Sequence, residues 1–108
     1  MEQYYYTKDT MENVKVKNRY IAQYKIERCS QNKTFYSTDG FSAISFENIG
    51  DVDATINNVI PCNNTGVARN FNEKPNTRIV TDFTVSFDPT QAGTKAVIVI
   101  KTYYMEEA

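Results

Sequence analysis

Carboxylates are the residues with which this 108-residue chain could do chemistry. Glu47, Asp51 and Asp53 crowd around one turn, and Asp82 and Asp88 flank a long alternating segment. Two acids facing each other about 5 to 9 Å apart across a cleft could hydrolyse a glycoside. A cleft of that kind needs long loops, and the loops between apolar segments here are short. Glu47-x-x-x-Asp51-x-Asp53 could offer oxygen ligands to calcium, but it lacks the D-x-[DN]-x-[DN]-G order of a dedicated loop. Acids in a turn more often bond their own backbone and face water, so neither catalysis nor metal binding is expected of these.

Other chemistries lack their residues. The chain has no His, which removes the commonest general base, the Ser-His and Cys-His nucleophile pairs and most transition-metal sites. Its two cysteines, Cys29 and Cys62, are too far apart to form a zinc motif and are expected to be free, partly buried thiols. Four scattered glycines do not make a phosphate loop. The expectation is a non-enzymatic protein with no catalytic, cofactor-binding or metal-binding residues and no cofactor. Lys15, Lys17 and Arg19 share one strand face beside Tyr20 and Tyr24, a mixture that can bind single-stranded nucleic acid. Lysines at that position also keep an edge strand soluble, and this reading is preferred.

Charge and hydropathy narrow the class further. Net charge is −1, with seven Lys or Arg against four acids in residues 1–33 and five against nine in residues 34–108. That split is too shallow for a nucleic-acid footprint. No apolar run approaches the ~20 residues of a membrane helix. The N-terminus, with Tyr4, Tyr5 and Tyr6, lacks the basic region and apolar core of a signal peptide, so synthesis and retention in a cytoplasm are expected.

The elements that must position these residues read as strands. Eight Tyr, six Phe and no Trp suit pleated, half-buried surfaces. Ile79, Thr81, Phe83, Val85 and Phe87 alternate with polar neighbours, predicting a strand over Ile79–Phe87 with one face in the core. After the turn at 88–93, Ala96–Tyr104 carries the unbroken run Val97-Ile98-Val99-Ile100, predicting a central strand covered on both faces. These two segments are predicted to form a hairpin. Phe41–Phe46 and the alternating residues 51–57 predict a second hairpin across Asn48-Ile49-Gly50-Asp51. Val67–Phe71 reads as a short edge strand, and Val14–Lys17 and residues 20–28 as further strands. The fold class is all-β, an antiparallel β-sandwich or jelly-roll-like barrel of about six to eight short strands. Residues 1–12 are expected to be an N-terminal arm whose three tyrosines either pack on the domain's own sheet, the reading preferred, or lie on a neighbouring subunit, and residues 13–108 a single domain.

From Phe41 to Tyr104 the pattern resembles small structural proteins of tailed bacteriophages. The features in common are a strand ending in Asn48-Ile49-Gly50, a short alternating strand, a turn at Ile60-Pro61 and a short strand ending in Phe71. A long strand ending in an aromatic then precedes a Val/Ile-rich last strand. The chain departs from that pattern at Pro61-Cys62-Asn63-Asn64, where such proteins often turn on Pro-Gly. The resemblance implies a virion component assembled in the host cytoplasm. This would be a capsid decoration or auxiliary protein, or a head–tail accessory subunit, binding other virion proteins such as capsid or tail subunits, and a homo-oligomer.

Tyr and Phe favour interfaces because they combine a large contact area with few rotatable bonds, and Tyr adds a polar tip. The expected interface residues are Tyr4, Tyr5, Tyr6, Tyr20, Tyr24, Tyr103 and Tyr104. The alternative function is a carbohydrate- or host-surface-binding sandwich module.

Overall fold

The computed structural model describes residues 19–106, and these form a sandwich of two four-stranded sheets in which every strand pair is antiparallel. In chain order the strands are β1 (Tyr20–Cys29), β2 (Lys33–Phe35), β3 (Ala43–Asn48), β4 (Ala54–Ile56), β5 (Ile60–Cys62), β6 (Arg69–Asn72), β7 (Phe83–Phe87) and β8 (Val97–Glu106). One sheet has the order β1-β8-β3-β6 and the other β2-β7-β4-β5. A 3-10 turn, Ser37–Asp39, follows β2 and ends at Gly40 with φ 92°. The predicted arm, with Tyr4, Tyr5 and Tyr6, and the predicted strand Val14–Lys17 lie outside the described residues.

Period-two alternation puts one face of each sheet into a shared core. Phe83, Val85 and Phe87 of β7 point inward, as do Ile44 and Phe46 of β3 and Val97 and Val99 of β8. Phe46 is fully buried, edge-on to Phe35 and Phe71 with ring centroids 5.8 and 6.1 Å away. Phe83 stacks at a tilt on Phe71, 4.7 Å between centroids. Cys29 and Cys62 are free and buried in this core, and burial pushes both thiols above their ordinary pKa. Both should therefore resist a maleimide reagent in the native state and react together on unfolding. Fast native labelling of either would contradict their burial.

Both predicted hairpins are corrected. β7 and β8 belong to different sheets, and so do β3 and β4. The turns read as hairpins are corners at which the chain crosses from one sheet to the other, and the two corners are bonded together. The Ile49 amide donates to the Ala96 carbonyl (2.9 Å), and the Asp51 and Val52 amides donate to Thr94 O (2.8 and 3.2 Å). Alternation is the same whether successive strands pair in one sheet or face each other across a core, so periodicity alone cannot separate the two cases. The hairpin that does form joins β4 to β5. Asn57 and Asn58 turn it with φ 53° and 63°, a conformation that Asn tolerates better than most residues. Pro61 sits in β5, an edge strand, where a missing amide costs no ladder bond.

The strand predicted from Ile79 begins only at Phe83. Ile79 still packs on the core and its amide bonds Phe41 O, but Val80 is 87% exposed and no strand pairs there. β2 went unread because three residues are too few to show a period. β8 is central, as predicted, but its two faces are covered unequally. Val97 and Val99 on the inner face are buried, while Ile98 and Ile100 on the outer face are half-buried.

Candidate interaction surface

β1 and β8 pair over ten residues, from Tyr20↔Glu106 to Cys29↔Val97. β3 pairs β8 only from Val97 to Thr102, so beyond that point the two strands form a ribbon of their own. Odd-numbered residues of both strands face the core side and even-numbered ones the outer side. Cys29, Val97 and Val99 are buried, while Tyr24 and Ile26 are 61% and 67% exposed.

On the inner side, past the end of the core, a polar cluster replaces apolar packing. The Tyr103 hydroxyl donates to Asp39 Oδ2 (2.5 Å), and Lys101 Nζ donates to the same oxygen (3.0 Å). Lys25 Nζ lies 5.1 Å from the centre of the Tyr103 ring. The bonds from Tyr103 and then Lys101 hold the Asp39 carboxyl below its usual range, and burial together with the facing carboxylate pushes the Tyr103 phenol well up. A depressed carboxyl contributes stability that is present above its ordinary pKa and lost as pH falls through the folded value. Asp39→Asn should remove that dependence. Because Asp39 is more than a third exposed, the shift in unfolding temperature between pH 5 and pH 2.5 should shrink by only about 2–4 °C relative to the parent. Identical acid limbs for parent and variant would show that Asp39 gains nothing from these contacts.

The outer side of the ribbon is apolar and aromatic. Ile26 stands opposite Ile100, Ala22 opposite Tyr104 and Arg28 opposite Ile98. Tyr24, Ile26, Ile98, Ile100 and Tyr104 thus share one side of two adjacent strands, where Tyr24 and Ile26 are exposed, Ile98, Ile100 and Tyr104 are half-buried, and Thr102 opposite Tyr24 is buried. Ile21 and Met105 are exposed opposite each other on the other side of the ribbon, while Val59, Val67 and Val80 lie on connections or beside them and are scattered. A contiguous apolar strip on a sheet is the form that interaction surfaces take.

Of the five carboxylates singled out by sequence, Asp51, Asp53, Asp82 and Asp88 bond to groups of their own chain. Glu47 is on the outer face of β3, while Asp51 accepts from the Thr94 amide (3.4 Å) and Asp82 from the Ser37 amide (2.8 Å). Asp53 and Asp88 do line one open groove of about 390 Å³ with Thr55, Asn58, Asn63 and Ser86. Asp53 Oδ2 accepts from Gln91 Nε2 (2.9 Å). Asp88 Oδ1 accepts from the Thr90 hydroxyl (2.7 Å) and amide (2.9 Å), which lower its carboxyl pKa. Among the described residues no three His, Cys, Asp or Glu side chains are placed to hold a metal ion.

Comparison with protein-family models, with curated proteins and with solved structures found no match. Among the described residues no helix is long and apolar enough to cross a membrane.

Of the predicted interface tyrosines, Tyr20, Tyr24 and Tyr104 fall on the outer side of the ribbon and Tyr103 on the inner side. Tyr103 packs against the core and is bonded to Asp39, so its ring and hydroxyl are both used within its own chain. Tyr4, Tyr5 and Tyr6 lie outside the described residues. Sequence reasoning missed Ile26, Ile98 and Ile100 as surface residues. The signal was available in the run Val97–Ile100: an unbroken apolar strand in an antiparallel sheet must be covered twice or leave one apolar side open.

Proposed function

We propose that this chain is a non-enzymatic structural subunit of a phage virion, a capsid decoration or auxiliary protein that works by binding other virion subunits. The observation that carries this reading is the apolar outer side of the β1–β8 ribbon, where Tyr24 and Ile26 are exposed. Tyr24, Ile26, Ile98, Ile100 and Tyr104 form an apolar, aromatic strip on a rigid scaffold, the composition of an interface core. The polar groups of the scaffold support a passive role: Asp39, Asp51, Asp53, Asp82 and Asp88 are all spent on holding loops and strands. The phage-like pattern of strands and turns gives this interface a home. The test is the copy number of the chain in purified particles. A fixed stoichiometry, lost on Ile26→Lys with Ile100→Lys, is expected, and absence from particles would end the idea.

A second reading, a carbohydrate- or host-surface-binding module, draws on the groove between Asp53 and Asp88, where Asn58, Asn63 and Thr55 add donors and acceptors. A glycan that binds there must raise the unfolding temperature by mass action. A glycan array with no such hit removes this reading.

A further inference from the structure

β1 is the terminal strand of its sheet among the described residues, and it runs for ten residues with no proline and no glycine. A long exposed strand edge offers a row of backbone donors and acceptors to another strand. We infer that this edge pairs with the same edge of a second copy, antiparallel across a two-fold axis, joining two four-stranded sheets into one of eight strands. The inference rests on the reading of this chain as an assembly subunit, and it names the first partner as the chain itself.

The side chains select one register. A two-fold axis normal to the sheet carries the core side of one copy onto the core side of the other, so a residue can meet only residues of its own parity. The axis must therefore pass through a residue that faces itself. Centred on Lys25 or on Glu27, the pairing sets like charge against like charge at the axis, which is destabilising. Centred on Tyr24, it sets Lys25 against Gln23 and Glu27 against Ile21, leaving both charges unmatched. Centred on Ile26, it sets Lys25 against Glu27 of the partner subunit twice on the core side. It also sets Tyr24 against Arg28 of the partner subunit twice on the outer side, a pairing of ring and guanidinium.

Each Glu27 then lies between the Lys33 it already bonds (2.9 Å) and Lys25 of the partner subunit. Ile26, the most exposed residue of the apolar strip, is buried against its own copy at the axis. Seven residues, Gln23 to Cys29, are paired within β1 of both copies. One strand pair buries less than a standard interface of about 1,600 Å², so the dimer is a concentration-dependent one in the micromolar range.

Sedimentation equilibrium of the full chain from about 5 to 200 µM is the test, with circular dichroism confirming that each variant is folded. Lys25→Glu and Glu27→Lys should each weaken dimerisation by about tenfold or more, and the double exchange should restore it to within about threefold of the parent. Glu27→Lys also breaks the bond to Lys33, but only pairing between copies predicts rescue by the second substitution. Ile26→Lys should abolish dimerisation without lowering the unfolding temperature, since the side chain is exposed in one copy. A parent chain that stays monomeric throughout, or a dimer indifferent to all four variants, overturns the inference. A monomer that still occupies purified particles would overturn this pairing alone and leave the structural role standing.

Discussion

Asn48→Ala is expected to lower the unfolding temperature by about 15 °C or more, although it removes only a small polar group from a strand end. Asn48 is buried, with 1% of its surface exposed, and its amide is saturated. Nδ2 donates to Val52 O (2.8 Å) and Cys62 O (2.9 Å), while Oδ1 accepts from the Gly50 amide (2.9 Å). One side chain at the end of β3 thus ties its own corner to β5 in the opposite sheet. Alanine would leave three backbone groups without partners in a dry interior, each costing about 1–3 kcal/mol. The sum is comparable with the whole stability of a domain this size, about 5–15 kcal/mol.

Asn48→Asp is the sharper control. It keeps the acceptor for Gly50 but turns the donor into an oxygen facing two carbonyls, so it should be at least as damaging as alanine near neutral pH. Ser45→Ala, on the outer face of the same strand, should change stability by less than about 0.5 kcal/mol. Thermal and urea unfolding followed by circular dichroism and tyrosine emission suit a chain with eight Tyr and no Trp. An Asn48→Ala variant as stable as Ser45→Ala would show that the corner does not depend on this amide.

The contrast between legible and hidden features has a physical basis. The residues buried in β3, β4, β7 and β8 were readable because alternation records which side chains meet the core. The pairing of those strands was not readable. A turn such as Asn48-Ile49-Gly50-Asp51 can fold a strand back in its own sheet or carry it across to the other, and the local residues are similar. The decision here is made by partners distant in sequence, Thr94 and Ala96 for the backbone and Cys62 for Asn48.

The candidate surface was legible by halves for the same reason. Tyr24 and Tyr104 were picked out by residue type, and the structure puts them on one side of adjacent strands. Ile100 was expected to be covered as part of an unbroken apolar run, and the structure leaves it half-buried on the outer side opposite Ile26, which is exposed. The Asp39–Tyr103–Lys101 cluster spans 64 positions and has no sequence signature at all.

Gly50→Ala is the second large effect, and it isolates the contact between the two corners from the hydrogen bonds of Asn48. Glycine is needed at this position for space. A Cβ built on Gly50 would lie 2.3 Å from Thr94 O and 2.8 Å from Ala96 N, both backbone atoms that cannot rotate away. The two connections would have to separate, lengthening the bonds from Ile49 to Ala96 and from Asp51 and Val52 to Thr94. Losing those bonds together with the strain of the displaced backbone should cost about 3–5 kcal/mol. Gly66→Ala supplies the comparison. That glycine has φ 76° but nothing within 4 Å of its Cβ position, so only the left-handed backbone resists substitution, at about 1–2 kcal/mol. The expected order of urea midpoints is therefore parent, then Gly66→Ala, then Gly50→Ala well below both. Hydrogen exchange in the Gly50→Ala variant should rise first at the Ile49, Asp51 and Val52 amides, because these are the groups the corner contact shields. Equal midpoints for the two alanine variants would mean that the corners can part without loss, and that the sandwich is held by its aromatic core alone.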